Sequence, residues 1–219
     1  MKKIVFIVIL LTWSHSGLAA KATPLENTAK QLAAKTNNLQ PKIIKLAITA
    51  FHQAKKLGIA TKKPIITIID YSLPSTKKRL WVLDLAQEKI LYTSMVAHGK
   101  YSGENYTNSF SNQIGSLKTS VGLFLTEETY FGRDGFSLRI KGLEKGFNDN
   151  AKVRTIVLHG APYVSQQFAT VRGRIGRSWG CPAVEKPLAK PIINTIKEGT
   201  LLFSFYPHQE WLNQSKFIN

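Results

Sequence analysis

The chain has 219 residues, 43% of them hydrophobic, which is enough for one domain with a hydrophobic core of ordinary size. Thirty lysine and arginine residues against 13 aspartate and glutamate residues give a formal net charge of +17. Such a chain attracts polyanions, but its basic residues are scattered rather than clustered, and a nucleic-acid partner is therefore not expected.

The N-terminus has the pattern of a secretory signal peptide over residues 1–20. Lys2 and Lys3 precede an apolar run at 4–11, and small residues follow up to Ala20. The run is shorter than the ~20 residues that span a bilayer, so cleavage near Ala20 is predicted rather than a membrane anchor. Export to the periplasm or cell wall would bring the basic chain to an anionic envelope polymer, with no specific membrane partner. A solvated basic surface without a specific partner is the alternative.

Residues 21–62 are predicted to form a helical N-terminal segment, because apolar residues recur at spacings of three and four and Gly58 stands at a helix end. From 63 to 207, runs of β-branched and aromatic residues predict strands, which are then followed by a helix in "EKPLAKPIINTIKEG" and a last strand in "TLLFSFY". Residues 208–219 are predicted as a polar C-terminal tail. The predicted fold class is mainly β with flanking helices (α+β).

Cys181 is the only cysteine and lies in "GRSWGCPAVE". In an exported protein a lone cysteine has no internal disulfide partner, so it is either a small buried residue or a functional thiol. A thiol becomes nucleophilic when a base or a cation favours the thiolate. Three of the five histidines lie in the signal peptide, the N-terminal helix and the tail, which leaves His98 and His159.

His159 ends the predicted strand "RTIVLHG", 22 residues before Cys181, so a loop can return the thiol to that strand end. The N–H groups of Trp179, Gly180 and Cys181 are predicted to face a developing oxyanion. Pro182 is predicted to begin a helical turn, whose N-terminus would lower the pKa of the thiol. One cysteine and two isolated histidines do not make a metal site, and no cofactor is expected.

These residues resemble the catalytic segments of the murein L,D-transpeptidase catalytic domain family (YkuD-like), in which H-G is followed by S-x-G-C. "HGAPYV" and "GRSWGCPAV" carry the resemblance, and further segments extend it in the family's order from about Ile65 to Phe205. It implies an L,D-transpeptidase-like β-sandwich over 63–207. It also implies a cysteine acyltransferase of cell wall biogenesis and cell shape that acts on peptidoglycan stem peptides without a cofactor.

The resemblance assigns Cys181 as nucleophile and His159 as general base. The backbone carbonyl of Gly160 completes the catalytic set, and Ser178 matches the serine of S-x-G-C. The chain departs from the better-known branch at two positions, with Trp179 in place of a histidine and Ala183 in place of an arginine.

The missing arginine was a natural partner for a substrate carboxylate. The residues predicted to bind substrate in its absence are His98, Tyr163, Arg177, Trp179 and Gly180.

Several other functions compete with this interpretation. If water instead of an amine resolves the thioester, the same site is an L,D-carboxypeptidase or amidase. Papain-like peptidases place cysteine before histidine, and sortases need an arginine after the cysteine, so chain order and composition disfavour both. A non-catalytic basic wall-binding protein would not need Cys181. The sequence does not predict the oligomeric state.

Overall fold

The computed structural model describes residues 23–59 and 61–219. The predicted signal peptide and its cleavage position lie outside these residues. In the described part of the chain, no helix combines the length and apolar character needed to cross a membrane.

Two helices form the N-terminal segment, α1 (Pro24–Ala34) and α2 (Pro41–Lys56). A capping box begins α1, since Thr23 Oγ1 accepts from the Glu26 N–H and the Glu26 carboxylate accepts from the Thr23 N–H. Proline stands in the first turn of both helices, where its missing N–H is not needed. The apolar spacing of α2 turns one face inward, which confirms the helical prediction; its buried residues are Ile43, Ile44, Ala47, Ile48, Ala50, Phe51 and Ala54.

Nine strands form one sheet in the order β3-β2-β1-β9-β5-β6-β7-β8-β4. Their bounds are β1 (Ile65–Asp70), β2 (Leu80–Asp84), β3 (Lys89–Ser94), β4 (Val96–Ala97), β5 (Gly122–Gly132), β6 (Gly135–Gly142), β7 (Val157–Ala161), β8 (Ala183–Glu185) and β9 (Leu201–Phe205). The helices between and after them are α3 (Gln166–Arg172), α4 (Lys186–Ile196) and α5 (Gln209–Gln214). The pairs β1–β9 and β7–β8 are parallel, and the other pairs are antiparallel.

The sheet has a hydrophobic core on each face. Strand β1 shows this directly, because Ile66 and Ile68 pack under the N-terminal helices whereas Ile65 and Ile69 pack on the α4 side. The α4 core receives side chains from β2 near one edge of the sheet and from β8 near the other, so the sheet curls around that core. The predicted mainly β fold with flanking helices is confirmed.

The C-terminal residues 208–219 are part of the core and do not form a separate polar segment. Trp211 of helix α5 and Phe217 after that helix lie in the core beneath the N-terminal helices, both fully buried. Trp211 Nε1 donates to Glu144 Oε2 at 2.9 Å. The polar residues around these two aromatic side chains gave the segment its tail-like composition, whereas the buried aromatic side chains determine its position.

Candidate active site

The parallel pairing of β7 and β8 brings Cys181 to His159. In the register His159 lies opposite Ala183, and Cys181 precedes Ala183 by two residues. The thiol therefore lies beside the start of β7, where the Val157 N–H points to Sγ at 3.5 Å and the Thr155 carbonyl oxygen lies 3.8 Å from Sγ. The sequence predicted that a loop returns the cysteine to the end of the strand, whereas the strand pairing places the thiol beside the start of β7.

A cavity of ≈ 710 Å³ opens in front of these two residues. Six of the nine predicted site residues line it: His159, Tyr163, Arg177, Ser178, Trp179 and Cys181. Gly160 and Gly180 lie in the backbone behind the cavity wall, and His98 lies elsewhere. The opposite wall includes the turn between β5 and β6, with Arg133 and Asp134.

Burial raises the pKa of the Cys181 thiol, and the Asp134 carboxylate adds to the rise. The Val157 N–H and the charges of Arg154 and Arg133 oppose that rise only in part. The predicted helix N-terminus beside the thiol is wrong. Residues after Cys181 form β8, because pairing with β7 and β4 takes up their backbone groups, and the next helix starts only at Lys186. The thiol therefore rests protonated and needs a base to become a thiolate.

His159 has the orientation of a general base. It is 4% exposed, and its Nδ1 lies 3.2 Å from the Gly160 carbonyl oxygen. With the proton on Nδ1 donated to that carbonyl, Nε2 is left as the acceptor. Gly160 is required at this point, since a Cβ there would lie 2.7 Å from the Cβ of Ala189 in α4. The contact between the histidine and the carbonyl matches the predicted set, and the catalytic roles remain predictions.

Ser178 and Gly180 hold the turn that carries the thiol. Ser178 Oγ donates to the Cys181 carbonyl at 2.6 Å and accepts from the Gly180 N–H at 3.1 Å. The Gly180 N–H is therefore engaged, which leaves the Trp179 and Cys181 N–H groups of the three predicted for an oxyanion. Gly180 has φ of +121°, and a Cβ there would lie 2.8 Å from the Lys118 carbonyl oxygen.

His98 does not reach the cavity, so the prediction that it binds a substrate carboxylate is wrong. Its ring is fully buried, with Nδ1 2.7 Å from Arg79 Nη2 and Nε2 3.2 Å from the Gly103 carbonyl oxygen. Because the guanidinium only donates, Nδ1 accepts and Nε2 carries the proton. Burial, followed by the nearby charge of Arg79, lowers the pKa of His98 to about 4, which keeps the ring neutral.

Arg177 lines the cavity, but its guanidinium already has protein partners. Its Nη1 donates to Glu104 Oε1 at 2.6 Å and to the carbonyl oxygens of Lys100 and Gly103, each at 3.1 Å. Arg154, another cation in the cavity wall, is bonded in the same way to Ser111, Ser116, Ser120 and Lys118. Both terminal nitrogens of Arg154 are therefore engaged, whereas for Arg177 the engaged nitrogen is Nη1 and the charge is paired with Glu104.

Arg133 is a further arginine of the cavity wall, and the sequence analysis did not identify it. It lies in the two-residue turn between β5 and β6, its side chain is 75% exposed, and its Nε is 3.8 Å from Asp134 Oδ1. The guanidinium lies 5.1 Å from the ring centre of Trp179, a cation–π arrangement at the mouth of the cavity. The motif "GRDG" between two predicted strands marks a hairpin turn. The sequence does not say, however, which site that hairpin faces.

Strained backbone also lines the cavity. Leu117 and Thr155 both have φ of 54°, in the left-handed region. For a β-branched residue such as Thr155 this conformation costs roughly 1–3 kcal/mol, and such residues concentrate at functional sites. Here the conformation aims the Thr155 carbonyl at the thiol.

No three His, Cys, Asp or Glu side chains in residues 23–59 and 61–219 are grouped as metal ligands would be.

A model of the family described as L,D-transpeptidase catalytic domain matches residues 35–205. No curated protein matches the chain in sequence. Among solved structures, an L,D-transpeptidase from Mycobacterium smegmatis is 12% identical over 65% of this chain and 59% of its own, with a TM-score of 0.41. L,D-transpeptidase 1 of Mycobacterium tuberculosis is 12% identical over 65% of this chain and 62% of its own, with a TM-score of 0.37.

The L,D-transpeptidase (Yku) from Stackebrandtia nassauensis is 12% identical, over 83% of this chain and 90% of its own, with a TM-score of 0.39. The chain thus spans less than two thirds of the two mycobacterial structures.

Proposed function

Since the chain belongs to the family of L,D-transpeptidase catalytic domains, we propose that it is a cysteine acyltransferase acting on peptidoglycan stem peptides. The observation that carries this proposal is the shared cavity wall of Cys181 and His159, with the histidine oriented by the Gly160 carbonyl. A thiol with a raised pKa next to an oriented imidazole needs that base to react at neutral pH.

In the first half of the reaction, His159 Nε2 takes the thiol proton as Sγ of Cys181 attacks an amide carbonyl carbon of the donor stem. The tetrahedral intermediate then expels the amine of the following residue, which takes the proton from the imidazolium. A thioester remains on Cys181. The N–H groups of Trp179 and Cys181 are the candidate donors to the transient oxyanion.

In the second half, the amine of a neighbouring stem attacks the thioester carbonyl while His159 accepts its proton. The C–S bond breaks, the thiolate regains a proton, and an amide crosslink is released. If water attacks instead, the product is a shortened stem with a free carboxylate, which is the L,D-carboxypeptidase outcome. Both outcomes pass through the same thioester.

Arg133, whose guanidinium lies over the ring of Trp179, is our proposed anchor for a substrate carboxylate, in place of the Arg177 that the sequence predicted. Its side chain is exposed in the cavity wall, and the carboxylate paired with it, Asp134, lies at a long 3.8 Å. A guanidinium supported by an aromatic face is suited to a planar carboxylate, because it offers parallel N–H donors. Tyr163 and Trp179 supply the apolar walls that would hold the peptide in place.

Incubation of the purified protein with disaccharide-peptide wall fragments tests the proposal by mass spectrometry. We expect a crosslinked dimer together with one released amino acid, and no turnover by Cys181→Ala. His159→Ala should lose ~10²-fold or more in rate, as is usual for removal of a general base. Shortened monomers without dimers would assign the carboxypeptidase alternative. If the wild-type protein leaves the fragments unchanged, both catalytic functions are excluded and the non-catalytic wall-binding alternative remains.

We also propose that the protein acts outside the inner membrane, on the strength of the signal-peptide pattern in residues 1–20. N-terminal sequencing of the protein recovered from the periplasmic fraction should start just after Ala20. Recovery of the full-length chain in the cytosolic fraction would contradict this location.

A further inference from the structure

A second groove of ≈ 500 Å³ lies beside the catalytic cavity and shares Arg177 with it. We call it the tyrosine groove; it is formed by the loop 100–108 and lined by Lys100, Tyr101, Gly103, Glu104, Asn105, Tyr106, Asn108 and Arg177. Tyr101 and Tyr106 are 56% and 60% exposed. Two exposed rings that line the same groove form an apolar patch, and such patches mark candidate binding surfaces.

The loop 100–108 is fixed on its buried side by Arg79. Arg79 is fully buried and lies at hydrogen-bond distance from the carbonyl oxygens of Val96 and Leu73, Thr107 Oγ1 and His98 Nδ1. His98 passes the connection on to the Gly103 carbonyl oxygen. Burying a guanidinium without a paired carboxylate is costly, because its charge loses hydration. The buried Arg79 side chain fixes the loop 100–108, through Thr107 directly and through His98, while Tyr101 and Tyr106 remain exposed.

The same loop is also joined to the segment 174–178, which leads into the turn that carries Cys181. Glu104 pairs with Arg174 at 2.8 Å and with Arg177 at 2.6 Å. The Lys100 N–H donates to the Ser178 carbonyl at 2.8 Å, and the Ser178 N–H donates to the His98 carbonyl at 3.0 Å. The tyrosine groove and the turn that carries Cys181 are therefore rigidly connected, as expected where a ligand must be placed with respect to the nucleophile.

The chemistry of the tyrosine groove suits a sugar chain. Its tyrosines offer flat apolar faces with a polar tip, and Asn105 and Asn108 line the same groove with side-chain amides. The Asn105 amide oxygen accepts from Ser75 Oγ at 2.9 Å, which holds that amide in place. The charged residues of the lining are Lys100, Arg177 and Glu104, so the groove carries only a small net positive charge and is less suited to a strong polyanion. Pyranose rings present the matching pattern of apolar C–H faces and hydrogen-bonding edges.

We propose that the tyrosine groove binds the glycan strand of peptidoglycan while a stem peptide attached to that strand enters the catalytic cavity. This inference rests on the proposed function, since it is the polymeric substrate that carries both chemistries. The Lys100 ammonium lies 5.5 Å from the ring centre of Tyr101 and helps to fix the orientation of that ring. Tyr101 and Tyr106 are then substrate-binding residues that make no contact with the reacting atoms.

The test compares the double variant Tyr101→Ala/Tyr106→Ala with the matched Tyr101→Phe/Tyr106→Phe. The alanine pair should keep wild-type turnover of a free stem tetrapeptide and lose ~10-fold or more in kcat/KM on polymeric wall, because stacking on two exposed rings is lost. The phenylalanine pair keeps the rings and should stay within about threefold on both substrates. Equal rates of all three proteins on polymeric wall would overturn the proposal, as would an equal loss on both substrates.

A binding measurement separates this inference from the proposed function. A soluble N-acetylglucosamine hexamer should bind the wild-type protein and the phenylalanine pair, but not the alanine pair, by titration calorimetry. That result stands even if the wild-type protein turns over no peptide, in which case only the proposed function fails. If the wild-type protein does not bind the hexamer, a glycan is rejected as the occupant. Binding of polyphosphate instead of the hexamer would reject it as well.

Discussion

Replacing Trp179 by alanine separates two roles of its ring, packing in the fold and contact with substrate. The side chain is 63% exposed and lines the catalytic cavity, whereas Trp211 is fully buried in the core. Trp211→Ala is therefore the matched control, with the same atoms removed from a packed position. The contrast decides whether the segment "GRSWGC" is only a packed turn or also part of the substrate site.

The two variants should differ clearly in stability. Trp179→Ala removes the cation–π contact with Arg133, which is worth ~0.5–1 kcal/mol at an exposed site. At this chain length a loss of about 1 kcal/mol lowers Tm by roughly 2–4 °C. Trp211→Ala should cost ~3–5 kcal/mol, since a large buried side chain is lost and Glu144 loses its donor.

For catalysis the expected order is reversed, with the larger loss of kcat/KM in Trp179→Ala. A substrate group packed on the ring of Trp179 contributes ~1.5–3 kcal/mol, so kcat/KM on a stem peptide should fall roughly 10- to 150-fold for Trp179→Ala. Thermal unfolding and steady-state kinetics on both proteins give the comparison. A Trp179→Ala protein that unfolds as easily as Trp211→Ala, or that keeps kcat/KM within twofold, would refute the assignment of Trp179 to the substrate site.

Three further predictions concern His98, Gly180 and Arg133. His98 is neutral when folded, with its pKa lowered from 6.5 to about 4, so it contributes stability above pH 6.5 that is lost as pH falls through 4. Up to ~3 kcal/mol is at stake, and Tm of His98→Asn should depend less steeply on pH between 7 and 4 than Tm of the wild-type protein. Gly180→Ala should lose ~1–3 kcal/mol and most activity because its Cβ meets backbone, whereas Gly58→Ala, also at positive φ but in open space, should stay active. Arg133→Ala should raise KM about 10- to 150-fold, through a lost charge-assisted contact of roughly 1.5–3 kcal/mol. Amidating the substrate carboxylate should remove the difference between the Arg133 variant and the wild-type protein.

Each of the three has an outcome that contradicts it. For His98, the raised pKa values of the buried carboxyls Asp70 and Glu144 act in the opposite direction, favouring the fold at low pH. These carboxyls are present in both proteins, so their effect cancels in the comparison, and an equal pH dependence of Tm in His98→Asn and the wild-type protein would contradict the role of His98. Full activity of Gly180→Ala would show that the turn tolerates displacement. Equal effects of Arg133→Ala on free and amidated substrates would exclude a carboxylate contact.

The strands were predictable because their side-chain patterns are local. The β-branched residues of β1 indicated a strand, and the structure shows all six of its residues buried. The candidate nucleophile and base were also accessible from the sequence, through the single thiol and a histidine at a strand end. Their meeting in one cavity depends on the parallel pairing of β7 with β8, which no local pattern states.

The binding residues were harder to predict, for physical reasons that differ from case to case. His98 and His159 share the same local pattern, a histidine before a glycine after an apolar run, and both are buried. They differ in their surroundings, because His159 lines the cavity whereas both ring nitrogens of His98 contact protein groups. Arg177 looked available, but Glu104, distant in sequence, neutralises it. Arg133 lies in a hairpin turn whose long-range position opposite Cys181 depends on the curl of the whole sheet.

The central claim is that Cys181 carries the acyl group, and mass spectrometry of peptides from the digested acyl-enzyme tests it most directly. The purified protein is mixed with a stem tetrapeptide, quenched in acid within the first turnovers and digested. We predict an added mass equal to the donor peptide less its last residue, located on the peptide containing Cys181 and absent from Cys181→Ser. An unmodified Cys181 peptide during active turnover, or an adduct on another residue, would contradict the account.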